Sequence, residues 1–201
     1  MKKIIFLAAG LLLAGAASAQ IKFGVAGGAN FSNIIKTDDP NFTTSYKTGF
    51  HAGVTMDIHL VGPLSFDPEI LYDTKGYKAT TTSGEFTQRT NFIDAPLLAK
   101  LKLAQGFGII VGPQVSFLMS TTNTYSNGFS TIQQQHYEDD SNRFRKSIID
   151  GVIGVSIDLS TNVDLRARYT LDLQQDNVDG TTQTPQYRNQ VWQIGLGLKI
   201  P

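Results

Sequence analysis

The chain has 201 residues, with 17 basic and 17 acidic side chains, 19 glycines, 12 phenylalanines, 7 tyrosines and no cysteine. Balanced charge excludes the basic footprint that nucleic acid requires, and the missing cysteine excludes a disulfide framework or thiolate chemistry. Abundant glycine beside abundant aromatic residues favours a β-protein with tight turns.

The N-terminus opens Met1-Lys2-Lys3, continues as an apolar run over 4–14 and reaches Ala17-Ser18-Ala19. A basic start, a short apolar stretch and a small-x-small site describe an exported precursor cleaved after Ala19. The run is shorter than the roughly 20 residues a spanning helix needs. The expected organisation is a leader over 1–19 and one domain over 20–201. Losing Lys2 and Lys3 leaves that domain slightly acidic.

From there the hydrophobic period is two, the spacing at which successive strand side chains point to opposite faces. The first strand sets Phe23, Val25, Ala29 and Phe31 against Lys22, Gly24, Gly28 and Asn30. A polar stretch over 33–46 follows. The second strand sets Phe50, Val54, Met56 and Ile58 against His51, Gly53, Asp57 and His59. After Val61-Gly62-Pro63 the third sets Phe66, Ile70 and Tyr72 against Asp67, Glu69 and Asp73. A second polar loop is expected over 75–89.

The fourth strand sets Ile93, Leu97, Leu101 and Leu103 against Asp94, Leu98, Lys100 and Lys102. Ala104-Gln105-Gly106 turns the chain into a fifth, with Phe107, Ile109, Val111, Phe117 and Met119 against Ile110, Gly112, Gln114 and Ser116. The longest loop is expected over 121–146. The sixth and seventh strands form a hairpin about Ser160-Thr161-Asn162. One of its faces carries Ile149, Ile153, Ile157, Leu165, Tyr169 and Leu173. The other carries Asp150, Val152, Asp158, Asp164, Arg166, Arg168 and Asp172. After a loop over 174–186, the eighth strand sets Trp192, Ile194, Leu196 and Leu198 against Gln193, Gly195, Gly197 and Lys199.

Long and short connections alternate, so all short turns fall at one end and all long loops at the other. Outer-membrane barrels are built this way, with an even strand number. The apolar face also carries two aromatic rings. Phe23, Phe66 and Phe107 lie near the short turns; Phe31, Phe50, Tyr72, Phe117, Tyr169 and Trp192 lie near the long loops. Aromatic girdles flanking an aliphatic band suit two water–lipid boundaries. The expected fold is therefore all-β, an eight-stranded antiparallel transmembrane β-barrel with short periplasmic turns and long extracellular loops. Closure follows because an open edge in lipid strands unpaired backbone groups.

The opposite face is then the lumen, expected to hold a charge network of Asp57, Asp67, Glu69, Asp94, Lys100, Lys102, Asp150, Asp158, Asp164, Arg166, Arg168 and Asp172. Eight strands leave a lumen that side chains fill, so no wide pore is expected despite the charges. Two other arrangements compete. A soluble lipocalin-like ligand-binding barrel would turn the charged face outward, and a lipid-modifying outer-membrane enzyme would need a Ser–His–carboxylate constellation.

No such constellation is evident, and no catalytic residue, cofactor site or metal site is assigned. His51 and His59 are eight residues apart on one strand, roughly 26 Å, too far to share a metal. The segment from Gln175 to Gln186 echoes a calcium loop without the acidic first and last ligands. The expected partners are outer-membrane lipid and, through the outer loops, envelope or surface proteins.

Several runs resemble the PorT-type porin-family outer-membrane barrel domain of Bacteroidota: KFGVAGGANFS from Lys22, GFHAG from Gly49, LSFDPEILY from Leu64 with Lys75-Gly76, and DAPLLAK from Asp94. Gly108 with Gly112-Pro113, Asp150-Gly151 with Gly154, and LRARY from Leu165 add to it. The resemblance implies a non-enzymatic barrel of the outer membrane acting in envelope structure, surface interaction or assistance to secretion. One departure stands out: such barrels usually end in an aromatic residue, and this chain ends Ile200-Pro201.

Overall fold

A computed structural model describes residues 21–36, 43–81, 84–127, 130–137, 147–175 and 186–200. The strands are β1 (Ile21–Lys36), β2 (Thr43–Val61), β3 (Leu64–Thr81), β4 (Gly84–Ala104), β5 (Phe107–Ser126), β6 (Thr131–Tyr137), β7 (Ser147–Asp158), β8 (Val163–Asp172) and β9 (Tyr187–Lys199). All pairings are antiparallel, in the order β4-β3-β2-β1-β9-β8-β7-β5, and a β4–β5 ladder joins the two ends into a ring of eight. β6 stands outside that ring and, among the described residues, pairs only with the outer part of β5, Ser120 to Ser126.

Closure rests on two seams. The first and last strands pair from Gly24 with Lys199 to Lys36 with Tyr187. Beyond that ladder, the Ile200 amide donates to the Phe23 carbonyl at 2.7 Å. At the other seam β4 and β5 run together from Glu85–Ser126 down to Ala104–Phe107. Among the described residues each strand of the ring is thus paired on both sides through the hydrocarbon, which keeps its N–H and C=O groups from lipid.

The short turns gather at one end. Gly62 (φ 54°) and Gly106 (φ 75°) occupy the left-handed region that L-residues with a Cβ avoid, which lets β2–β3 and β4–β5 reverse within a few residues. The β7–β8 turn closes instead by Leu159 and Ser160 amides donating to the Val163 carbonyl.

Side-chain orientation follows the period-two reading. Ile153 is 57% exposed and Trp192 52%, whereas Arg166 is 5%. Exposed aliphatic residues band the outside, among them Val54, Ile70, Leu97, Val111, Ile194 and Leu196. A lipocalin-like barrel would need the reverse, with apolar residues lining a cavity.

Three expected loops are in large part strand. In the first, over 33–46, residues 33–36 end β1 and residues 43–46 open β2. The segment over 75–89 is the outer half of a β3–β4 hairpin in register from Lys75–Thr90 to Thr81–Gly84. Similarly, 121–126 continues β5, and 131–137 forms β6. The cause lies in the surroundings. In hydrocarbon the outward positions must be apolar, but in these extensions they are Lys78, Thr80, Glu85, Thr87 and Arg89. The inward ones are Tyr77, Ala79 and Phe86, so the amphipathic sense inverts above the outer aromatic ring. The pattern reads as polar loop although the ladder continues.

Candidate functional site

The enclosed lumen holds the chain's concentrated chemistry, and it is layered. In the layer nearer the short turns, Arg168 donates Nη1 and Nη2 to the two Glu69 carboxylate oxygens at 2.7 and 2.8 Å. Arg166 donates to Glu69 and to Asp164, and Lys199 lies 3.2 Å from Asp57. Lys100 reaches Asp158 at 3.7 Å. These long side chains fit because glycines face them. A Cβ on Gly197 would lie 2.6 Å from Asp164 Oδ1, and one on Gly195 would lie 2.8 Å from His51 Nε2.

A second layer lies above it. Lys75, 1% exposed, sits 3.3 Å from Asp94 and 3.4 Å from Asp150, with its ammonium 4.7 Å from the Phe92 ring centroid. Gln114 Nε2 donates to Asp94 at 2.8 Å and Asp150 at 2.7 Å, and Ser116 donates to Asp150. Across the lumen Asp73 accepts from Asn30 and, at 2.8 Å, from Gln193. Because Asn30 Nδ2 is a donor to Asp73 and to the Thr74 carbonyl, its Oδ1 is the acceptor that faces His51, so His51 Nδ1 carries the proton in their 2.6 Å contact. Asp172 accepts from the Asn189 amide and side chain at 2.9 and 2.8 Å.

Apolar packing completes the filling. Leu98, Ile110 and Val152 pack together on the β4–β5–β7 wall, as do Phe92, Leu118 and Ile148. Above the charged layers Ile34, Tyr77, Ala79 and Tyr187 form a cap, with Phe86 against it. Tyr77 and Tyr187 meet edge to face at 5.5 Å, and the Tyr187 hydroxyl donates to Gln88 at 2.6 Å.

Of the residues assigned to the lumen from sequence, Asp67, Glu69, Asp94, Lys100, Asp150, Asp164, Arg166, Arg168 and Asp172 are buried inside. Asp57 and Asp158 are part-exposed towards the short-turn end. Lys102 differs: it is exposed at the end of β4, beyond the enclosed layers, where nothing covers it. The sequence reading set Asp73, Asn30, Gln114, Ser116 and Gln193 on the inward face without counting them in the network, and it missed Lys75, which it placed in a loop. Lys75 was readable in principle, since Asp67, Glu69, Asp73, Lys75 and Tyr77 keep one parity along β3.

The aromatic residues lie on the outer surface. Phe23, Phe31, Phe50, Tyr72, Phe107, Phe117 and Trp192 are exposed, and Phe66 and Tyr169 are half-buried. The Tyr169 and Trp192 rings lie 4.8 Å apart, tilted by 51°, and those of Phe50 and Tyr72 lie 5.8 Å apart. Among the described residues no group of three His, Asp or Glu side chains is placed to hold a metal ion. The leader and most of the calcium-like segment, 176–185, lie outside the described residues.

Residues 16–175 match the family described as "Outer membrane protein beta-barrel domain". The chain belongs to that family. No curated protein sequence matches it. Among solved structures it is similar to Neisserial surface protein A, with 18% identity, a TM-score of 0.52, and 89% of this chain and 97% of that one covered. It is also similar to the attachment invasion locus protein Ail of Yersinia pestis in complex with the heparin analogue sucrose octasulfate. There the identity is 7%, the TM-score 0.50, and 90% of this chain and 99% of that one are covered. At these identities the likeness is one of fold. Family and fold place this outer-membrane barrel in the bacterial outer membrane, embedded in its lipid.

Proposed function

We propose that this barrel is a non-catalytic protein of the outer membrane whose lumen is a structural plug and whose outer end carries its contacts. The reading extends to the PorT-type barrels of Bacteroidota that the sequence resembles, with a role in envelope structure, surface interaction or assistance to secretion, and to a leader removed after Ala19. The observation that carries it is Lys75: a fully buried ammonium held between Asp94 and Asp150 under an aromatic cap. An enclosed charge of this kind is retained only when its partners are fixed. A network of fixed partners fills the lumen where a water-filled porin leaves it open.

The contacts are proposed for the outer end, where the β3–β4 and β5–β6 hairpins stand above the outer aromatic ring. Rigid strands there would present connecting segments to partners, the usual arrangement for recognition loops. A planar-bilayer recording tests the plug, and a pull-down from envelope extracts with an outer-hairpin deletion as control tests the contacts. Steady conductance of porin size would overturn the first. Equal capture by the intact and deleted forms would overturn the second.

A further inference from the structure

The inversion of pattern along β3 and β4 fixes where lipid ends, and basic side chains collect at that level. Tyr72 pairs with Ile93 in the outer ring region. Arg89 lies four residues further along β4 on the same outward face, opposite Gly76, whose missing side chain leaves Arg89 uncovered. At about 3.3 Å per residue and a tilt of about 35–45°, Arg89 stands roughly 10 Å above the ring, at headgroup height. Lys78 is exposed beside it on β3, and Lys47 on β2 is half-buried. Tyr46 pairs with Tyr77 just before the register shifts, so Lys47 follows at the level of Gly76, with Lys78 beside it on β3 and Arg89 across that strand; burial, then Arg89, then Lys78 hold its ammonium below the ordinary pKa.

Only one of them has a carboxylate partner among the described residues: Lys78 lies 3.4 Å from Glu85, an exposed pair. Arg188, four residues beyond Trp192 on β9, is exposed at the corresponding distance past the ring. Among the described residues no outward carboxylate lies between the ring and these cations. Cations gathered directly above a lipid-facing aromatic belt are complementary to anions in the adjoining leaflet.

We propose that Lys47, Lys78 and Arg89 form a docking patch for the phosphate groups of outer-leaflet lipids. Tyr72 and Phe50 below would lie along the acyl chains of the same lipid, so a single ligand meets both chemistries. The lipid is favoured over a soluble polyanion because the patch is continuous with the lipid-facing surface.

The test uses the full chain folded in neutral detergent, titrated with diphosphoryl lipid A and with its dephosphorylated counterpart, and read by native mass spectrometry. The diphosphoryl form is expected to bind at least about tenfold tighter, at about 1 kcal/mol per basic residue, and the preference should shrink as salt rises. Lys47→Ser with Arg89→Ser should abolish the preference, and Lys47→Arg with Arg89→Lys should keep it. Should the double variant fail to fold, the exposed Arg89→Gln alone should weaken the preference severalfold. Equal binding of the two lipids, or an unchanged preference in the Ser or Gln variants, would overturn the proposal. So would sucrose octasulfate binding through these residues without any lipid preference, which would assign the patch to a soluble polyanion.

Discussion

Glu69 is the residue on which the inner charge layer turns, since both Arg166 and Arg168 donate to it. Glu69→Gln keeps the shape but leaves two buried guanidinium groups short of a countercharge. The expected loss is about 3–5 kcal/mol, the range for breaking a buried pair by removing one partner. Lys75→Met should lose a comparable amount by leaving Asp94 and Asp150 together without their cation. Lys78→Ala at the exposed Glu85 pair should change stability by less than about 1 kcal/mol. Urea titrations of folding into lipid vesicles measure all three. Equal effects for Lys75 and Lys78 would show that the lumen is hydrated enough to screen its charges.

At the scale of elements, the environment of each strand segment decides what a substitution does. Ile153→Arg, outward on β7 between the aromatic rings, should lose about 2–4 kcal/mol in the same titration, and no loss would mean that the face does not meet hydrocarbon. Among the described residues β6 pairs only with the outer end of β5, while β5 keeps β4 and β7 lower down. Deleting 127–137 should therefore leave a barrel with unchanged heat-modifiable mobility on gels. Loss of the folded band would show that β6 takes part in closure. The alternation within lipid was legible from residues such as Val54, Ile153 and Ile194. The outer halves of β3 and β4 were not, because Thr74, Gly76, Lys78 and Arg89 are freed from the need to be apolar once outside it.

At the scale of the whole molecule, the proposed plug has two layers in series: the aromatic cap of Tyr77 and Tyr187, and the ionic layers beneath. Removing one should leave the other. Tyr77→Ala with Tyr187→Ala is expected to leave vesicles loaded with small sugars as slow to swell as the unaltered barrel. Rapid swelling would make the cap alone a gate. The last strand is tied into the ring on both sides, for the Lys199 and Ile200 amides donate to the Asn162 and Phe23 carbonyls at 2.7 Å.

Sequence alone determined which face of each membrane-spanning strand is greasy and which is charged, and hence the closed sheet, because hydrocarbon imposes a strict period of two on everything that touches it. Only the tertiary structure decided which charges meet. Lys75, Asp94 and Asp150 come from three different strands, and Arg168 lies 99 positions from Glu69. Such pairings follow from the stagger between strands around the ring, a quantity that no local pattern encodes.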